Sequence, residues 1–210
     1  MIRSVIAALA TGSLAALLIV AVPRLAAAAD GQTLRTVADF VDIEDDEARA
    51  AALFGEMFKV ISHPRCMNCH PVDARPRQGE DMALHMPPVV RGEGGFGVAG
   101  MRCSTCHGAE NASFVGAAGS MPGHEHWHLA PASMGWTGMT QGEVCAQLKD
   151  PERNGNRTLA EVHEHMAKDG LVGWAWSPGE GRAPAPGDQA LLGALTAAWV
   201  DAGAHCPTAG

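Results

Sequence analysis

The sequence predicts a mainly α fold with long irregular loops, and three stretches carry that expectation. Segment 45–62, DDEARAAALFGEMFKVIS, sets Ala51, Leu53, Phe54, Met57, Phe58 and Ile61 largely on one helical face. Segment 186–206, PGDQALLGALTAAWVDAGAHC, repeats the pattern through Leu191, Leu192, Leu195, Trp199 and Val200. Between them, segment 75–101, RPRQGEDMALHMPPVVRGEGGFGVAGM, is dense in Gly and Pro and shows no sustained period, so it reads as an irregular wrap.

In chain order, residues 1–29 read as a secretory signal: Arg3, then an apolar run to Val22, then small residues ending in the frame Ala27-Ala28-Ala29. Cleavage after Ala29 would leave residues 30–210 as one domain in the periplasm. An uncleaved anchor is the alternative, since the run approaches the roughly 18 apolar residues that suggest a span. The first amphipathic helix follows an acidic lead. Thr140 with Glu143, and Thr158 with Glu161, form capping-box frames for two short helices, the second ending near Gly170. WHLAPASMGW (127–136) and VGWAWSPGEGRAPAPG (172–187) read as loops. Asp188 caps the last helix, and Gly55 or Gly193 marks a close approach between helices.

The chain has 23 Asp and Glu against 15 Lys and Arg, a formal net charge of -8, and two of its cations, Arg3 and Arg24, leave with the leader. That balance argues against nucleic acid as a partner. The acidic stretch DFVDIEDDEARAA (39–51) reads as a solvated helix start, with a docking patch for a basic partner as the alternative.

Six cysteines fall into two pairs, in CMNCH (66–70) and CSTCH (103–107), plus Cys145 and Cys206. In the C-x-x-C-H frame two thiols reach the two vinyl groups on one porphyrin edge while the adjacent His turns under the ring to the iron. The expectation is two covalent c-type haems, on Cys66, Cys69 and His70 and on Cys103, Cys106 and His107. A zinc site from four cysteines leaves the two histidines unexplained, and a redox dithiol lacks its α/β context. An oxidising compartment favours a Cys145–Cys206 disulfide over a free thiol or a thiolate iron ligand. Only 36 residues (67–102) separate the motifs, so both haems are expected in one compact domain.

The sixth ligand separates an electron carrier from an enzyme. For the first haem the wrap offers His85, with Met86 and His63 as rivals and Met82 nearby. For the second, Met134 in its Pro-containing loop is preferred, followed by His126; Met121, His124, His128 and Met166 are the others. Arg91 and Arg102 flank the glycine-rich segment and suit haem propionates, with exposed arginines as the alternative. Trp127, Trp136, Trp174 and Trp176 are expected to pack on haem edges and loops.

A helix running into C-x-x-C-H and an apolar C-terminal helix resemble the crossed terminal helices of class I c-type cytochromes, which makes the expected domain cytochrome c-like. The stretches HPRCMNCHP, VVRGEGGFGVAGMRCSTCH, HWHLAPASMGW, VCAQLKDPERNGNRTLAEVHEHM and LVGWAWSPGEGRAPAPG, about half of residues 30–210, resemble exported dihaem cytochromes often labelled as a subunit of isoquinoline 1-oxidoreductase. That resemblance implies an electron-accepting subunit for a periplasmic molybdenum hydroxylase acting on aldehydes or N-heteroaromatics, passing electrons to a respiratory acceptor. The molybdopterin would belong to the catalytic subunits. A histidine before the first motif and another between the motifs is also similar to the small dihaem subunit of periplasmic nitrate reductase, which implies bis-histidine ligation. The competing function is a haem enzyme with one open coordination site, of the small peroxidase or thiosulfate-oxidising type.

Overall fold

The computed structural model describes residues 33–208; the leader and its cleavage point lie outside the described residues. Among the described residues six helices, α1 (Asp46–Ile61), α2 (Pro64–Met67), α3 (Gln141–Lys149), α4 (Leu159–Lys168), α5 (Gly170–Gly173) and α6 (Gln189–Asp201), make the fold mainly α. Among the described residues no helix is long and apolar enough to cross a membrane.

Each main helix starts where an oxygen acceptor meets an unpaired amide. Asp45 accepts from Ala48 N at 2.7 Å for α1, and Asp188 accepts from Leu191 N at 2.8 Å for α6. The boxes foreseen at Thr140/Glu143 and Thr158/Glu161 both form, and α4 stops at Lys168, beside the expected end. The apolar stripe of α1 buries Leu53, Phe54, Met57, Val60 and Ile61 against α6, where the rings of Phe54 and Trp199 stand 5.4 Å apart. Trp199 is fully buried.

Helix α6 packs on α4 as well as on α1. Its Gly193 lies against α4, where a Cβ would come within 2.7 Å of Ala167 Cβ. Gly55 is not at such a crossing, because its nearest obstacle is the flexible amide of Gln141 at 3.2 Å. Cys145, in α3, is joined to Cys206 beyond α6, the disulfide expected from the sequence.

The middle of the chain is irregular, punctuated by three two-residue antiparallel ladders: β1 (Arg77–Gln78) with β2 (Ala83–Leu84), β3 (Gly97–Val98) with β4 (Met101–Arg102), and β5 (Ala112–Ser113) with β6 (Ser120–Met121). Gly97, at φ +84°, permits the second ladder: a Cβ there would stand 2.5 Å from the Met101 carbonyl oxygen.

The two helical glycines should respond oppositely to alanine. Gly55→Ala should stabilise the protein by up to about 1 kcal/mol through helix propensity. Gly193→Ala should destabilise it by about 1–3 kcal/mol through overpacking. Urea unfolding of both variants, with unchanged m-values, checks this.

Candidate functional site

The first motif grows directly from the helical core. Helix α1 ends at Ser62, and His63 then caps α2, its Nδ1 accepting from Arg65 N at 3.2 Å, with Pro64 in the first helical position. Cys66 thus lies on α2, with Cys69 and His70 one turn further. Burial pushes the Cys66 thiol up to about 12 and the Cys69 thiol up to about 11, while the Arg65 charge pulls both back. Such thiols are protonated at neutral pH, unlike the low-pKa thiolate of a redox dithiol.

His70 Nδ1 donates to the Met134 carbonyl at 2.8 Å, and its ring lies flat on Trp136, with centroids 3.5 Å apart and planes 6° from parallel. Because a carbonyl only accepts, the proton sits on Nδ1 and leaves the Nε2 lone pair to a metal. Desolvation pushes the His70 pKa down to about 4, so the ring is neutral at physiological pH. It opens on a cavity of about 320 Å³ lined by Cys66, Cys69, His165, Met166 and Leu192 among others.

The second motif repeats the chemistry on a different support. The β3–β4 hairpin delivers it, with Cys103 N donating to Phe96 O at 3.0 Å, and residues Cys103–Thr105 form a 3-10 turn. His107 Nδ1 donates to the Pro122 carbonyl at 2.7 Å, and its ring stacks on Trp127 at 4.9 Å. Burial lowers its pKa too. It faces a cavity of about 490 Å³ lined by Cys103, Cys106, His85, Met121 and Arg182 among others. Both volumes fall within the roughly 300–1,000 Å³ usual for ligand sites.

The ring of His85 stands 6.0 Å from that of His107, centroid to centroid. Imidazoles sharing one ion at metal–nitrogen distances of about 2 Å hold their centroids about 6 Å apart. His85 Nδ1 donates to the Pro87 carbonyl at 3.0 Å, so its Nε2 is also open. The sequence had assigned His85 to the first motif and Met134 to the second, and the structure exchanges them. The β1–β2 turn and the Arg91 N to Ala74 O bond send the wrap across the second cavity. The loop bearing Met134 returns to the first motif through Ala130 N to Cys69 O at 3.0 Å and Trp136 N to His70 O at 2.8 Å. The Met134 thioether there lies 3.9 Å from Arg157 Nη1.

His63, committed to its cap, lines neither cavity. His126 lines the first cavity but is exposed, and its backbone N–H donates to His124 Nδ1 at 3.2 Å, which places the His124 proton on Nε2. His165, absent from the sequence-derived candidates, lines the first cavity with its Nδ1 3.2 Å from Asp169 Oδ2, a carboxylate-tethered imidazole of the kind metals use. Its sequence signal was the i, i+4 spacing to Asp169.

Arg91 lines the second cavity, with Nη1 and Nη2 donating to the backbone carbonyls of Ala130, Pro71 and Asp73 and its Nε buried without a partner. Arg102 is an exposed residue at that cavity's rim. Arg65, Cys69, His128 and Trp174 line both cavities, which therefore share a wall. Two tryptophans back the imidazoles rather than filling loops; Trp174 bonds Asn111 Oδ1 at 2.9 Å and Trp176 bonds Pro186 O at 3.0 Å.

Among the described residues no three His, Cys, Asp or Glu side chains converge as a metal-binding group. Thiol pairs at cavity walls, each beside a neutral imidazole with its outer nitrogen tied, fit a covalently held haem. Compared with family models, with curated proteins and with solved structures, the chain matches none.

Arg91→Met should strip three carbonyls of their donor and lower the unfolding free energy by about 2–4 kcal/mol. Arg102→Gln should change it by no more than about 0.5 kcal/mol. Denaturant titration of the two variants side by side checks the contrast.

Proposed function

We propose that this chain is an exported dihaem c-type cytochrome that carries electrons for a partner oxidoreductase and performs no substrate chemistry of its own. The observation that carries this reading is the pairing of His85 with His107 across 6.0 Å, each ring with its outer nitrogen engaged by a carbonyl. A haem held by two imidazoles passes electrons, whereas one with an open position binds and transforms small molecules.

In this reading Cys66, Cys69, Cys103 and Cys106 would hold two haems through thioether bonds, and the haems would supply the redox chemistry. His70 and His107 would each offer a neutral imidazole to an iron. His85 would be the second imidazole of the larger cavity and His165, tethered by Asp169, that of the smaller. Support for His165 comes from its place in the lining of the cavity that His70 faces, with its Nδ1 3.2 Å from Asp169 Oδ2. The wall shared by the cavities supports a short electron path between the two groups.

The signal-like leader and the Cys145–Cys206 disulfide favour an exported protein. The resemblance to dihaem subunits labelled with isoquinoline 1-oxidoreductase favours a molybdenum hydroxylase as electron donor and a respiratory component as acceptor. The acidic surface suits salt-sensitive docking to a basic face.

Protein produced with its haem-attachment machinery should show two haems per chain by pyridine haemochrome absorbance and two low-spin ferric signals by electron paramagnetic resonance. His85→Ala and His165→Ala should each turn one signal high-spin, whereas His63→Ala and His128→Ala should leave both low-spin. A high-spin haem in the unsubstituted protein would overturn the carrier reading in favour of an enzyme with an open site.

A further inference from the structure

Arg65 is, among the described residues, the only buried Lys or Arg, with 5% of its surface exposed. It sits immediately before Cys66 and lines both cavities. Burying a guanidinium without hydrogen-bond partners is costly, because its donors leave water and gain nothing in return. Yet Nε and Nη2 have no aligned acceptor. Glu80 Oε1 lies 2.7 Å from Nη2, but off the hydrogen-bonding direction, and Glu80 is half exposed to solvent.

A second cation sharpens the imbalance. Arg182 also lines the larger cavity, and its pKa is lowered first by burial and then by the charge of Arg65, with Glu80 only partly relieving it. The Arg182 guanidinium is already anchored on the carbonyls of Ser120 and Pro178. The Nε and Nη2 donors of Arg65 therefore lack an aligned acceptor, the one carboxylate beside them, Glu80, being half exposed and accepting from Ala183 N at 3.1 Å, and a carboxylate is the anion that such a fork binds bidentately.

Resting on the dihaem reading, we infer that Arg65 is the carboxylate clamp in the wall between the two cavities: it would bind a haem propionate and hold one buried positive charge in the wall that both cavities share. It is a positioning residue that coordinates no metal. Arg91 and Arg102, which the sequence suggested for this task, are occupied by backbone carbonyls in one case and exposed at the rim in the other. A positive charge in a poorly solvated wall favours adding an electron to either neighbour, so it raises both reduction potentials together.

The test is spectroelectrochemical titration, with resonance Raman of the propionate bending region, on haem-loaded Arg65→Gln, Arg65→Lys and Glu80→Gln proteins. Arg65→Gln should lower both midpoint potentials and shift a propionate band. Arg65→Lys should keep the potentials near the parent values while still shifting that band, because the charge survives and the fork does not. Glu80→Gln, at a half-exposed site, should raise both potentials, and it decides the matter if Arg65→Gln fails to load haem. Two haems per chain with potentials unmoved in Arg65→Gln and Glu80→Gln, or a shift at one haem only, would overturn the role of Arg65 alone. A parent protein without haem would instead overturn the dihaem reading beneath it.

Discussion

Two hydrogen bonds from imidazole to backbone carbonyl organise the rest of the molecule. His70 reaches Met134, 64 residues along the chain, and His107 reaches Pro122, 15 residues along. Each bond fixes a tautomer, which is a chemical result, and closes a loop, which is a topological one. Around the first, the Cys69 and His70 carbonyls accept from Ala130 and Trp136, so the returning strand is tied to the motif at three successive points. A buried backbone group must find a partner, and here those partners belong to the residues that carry the chemistry.

The helical frame makes those closures affordable. Phe54, Met57, Leu195 and Trp199 are fully buried where α1 meets α6, and Gly193 lets α4 approach α6. The disulfide then fastens the end of α6 to α3. Helix α1 leads into the first motif through a single capped turn, so core packing and placement of the motif are consecutive along the same few residues.

How much of this was legible follows from how local each signal is. The four longer helices, three of their caps and both C-x-x-C-H frames are short-range patterns, and Thr140, Thr158 and Asp188 behave as their sequence context requires. Which cavity His85 and Met134 reach was not legible, because both sit in loops whose routes depend on hydrogen bonds to distant residues such as Ala74 and Cys69. His63 caps α2 and lines neither cavity, a role that histidine rarely announces. Nothing in the sequence neighbours of Arg65 reveals that two cavities will meet around it. His165 was hidden on a helix face next to Met166, where an apolar stripe drew attention to the neighbour instead.

The supports of the two motifs differ in stiffness. The first cavity is walled by Val60, Ile61, Ala175 and Leu192, side chains that belong to or touch the helical core. The second is walled largely by the wrap, whose regular structure amounts to ladders two residues long. Local opening costs less free energy where few apolar contacts and few protected backbone bonds must break. Amide exchange around His85 and His107 would therefore run ahead of exchange around His70, and the two C-x-x-C-H motifs would breathe on separate clocks.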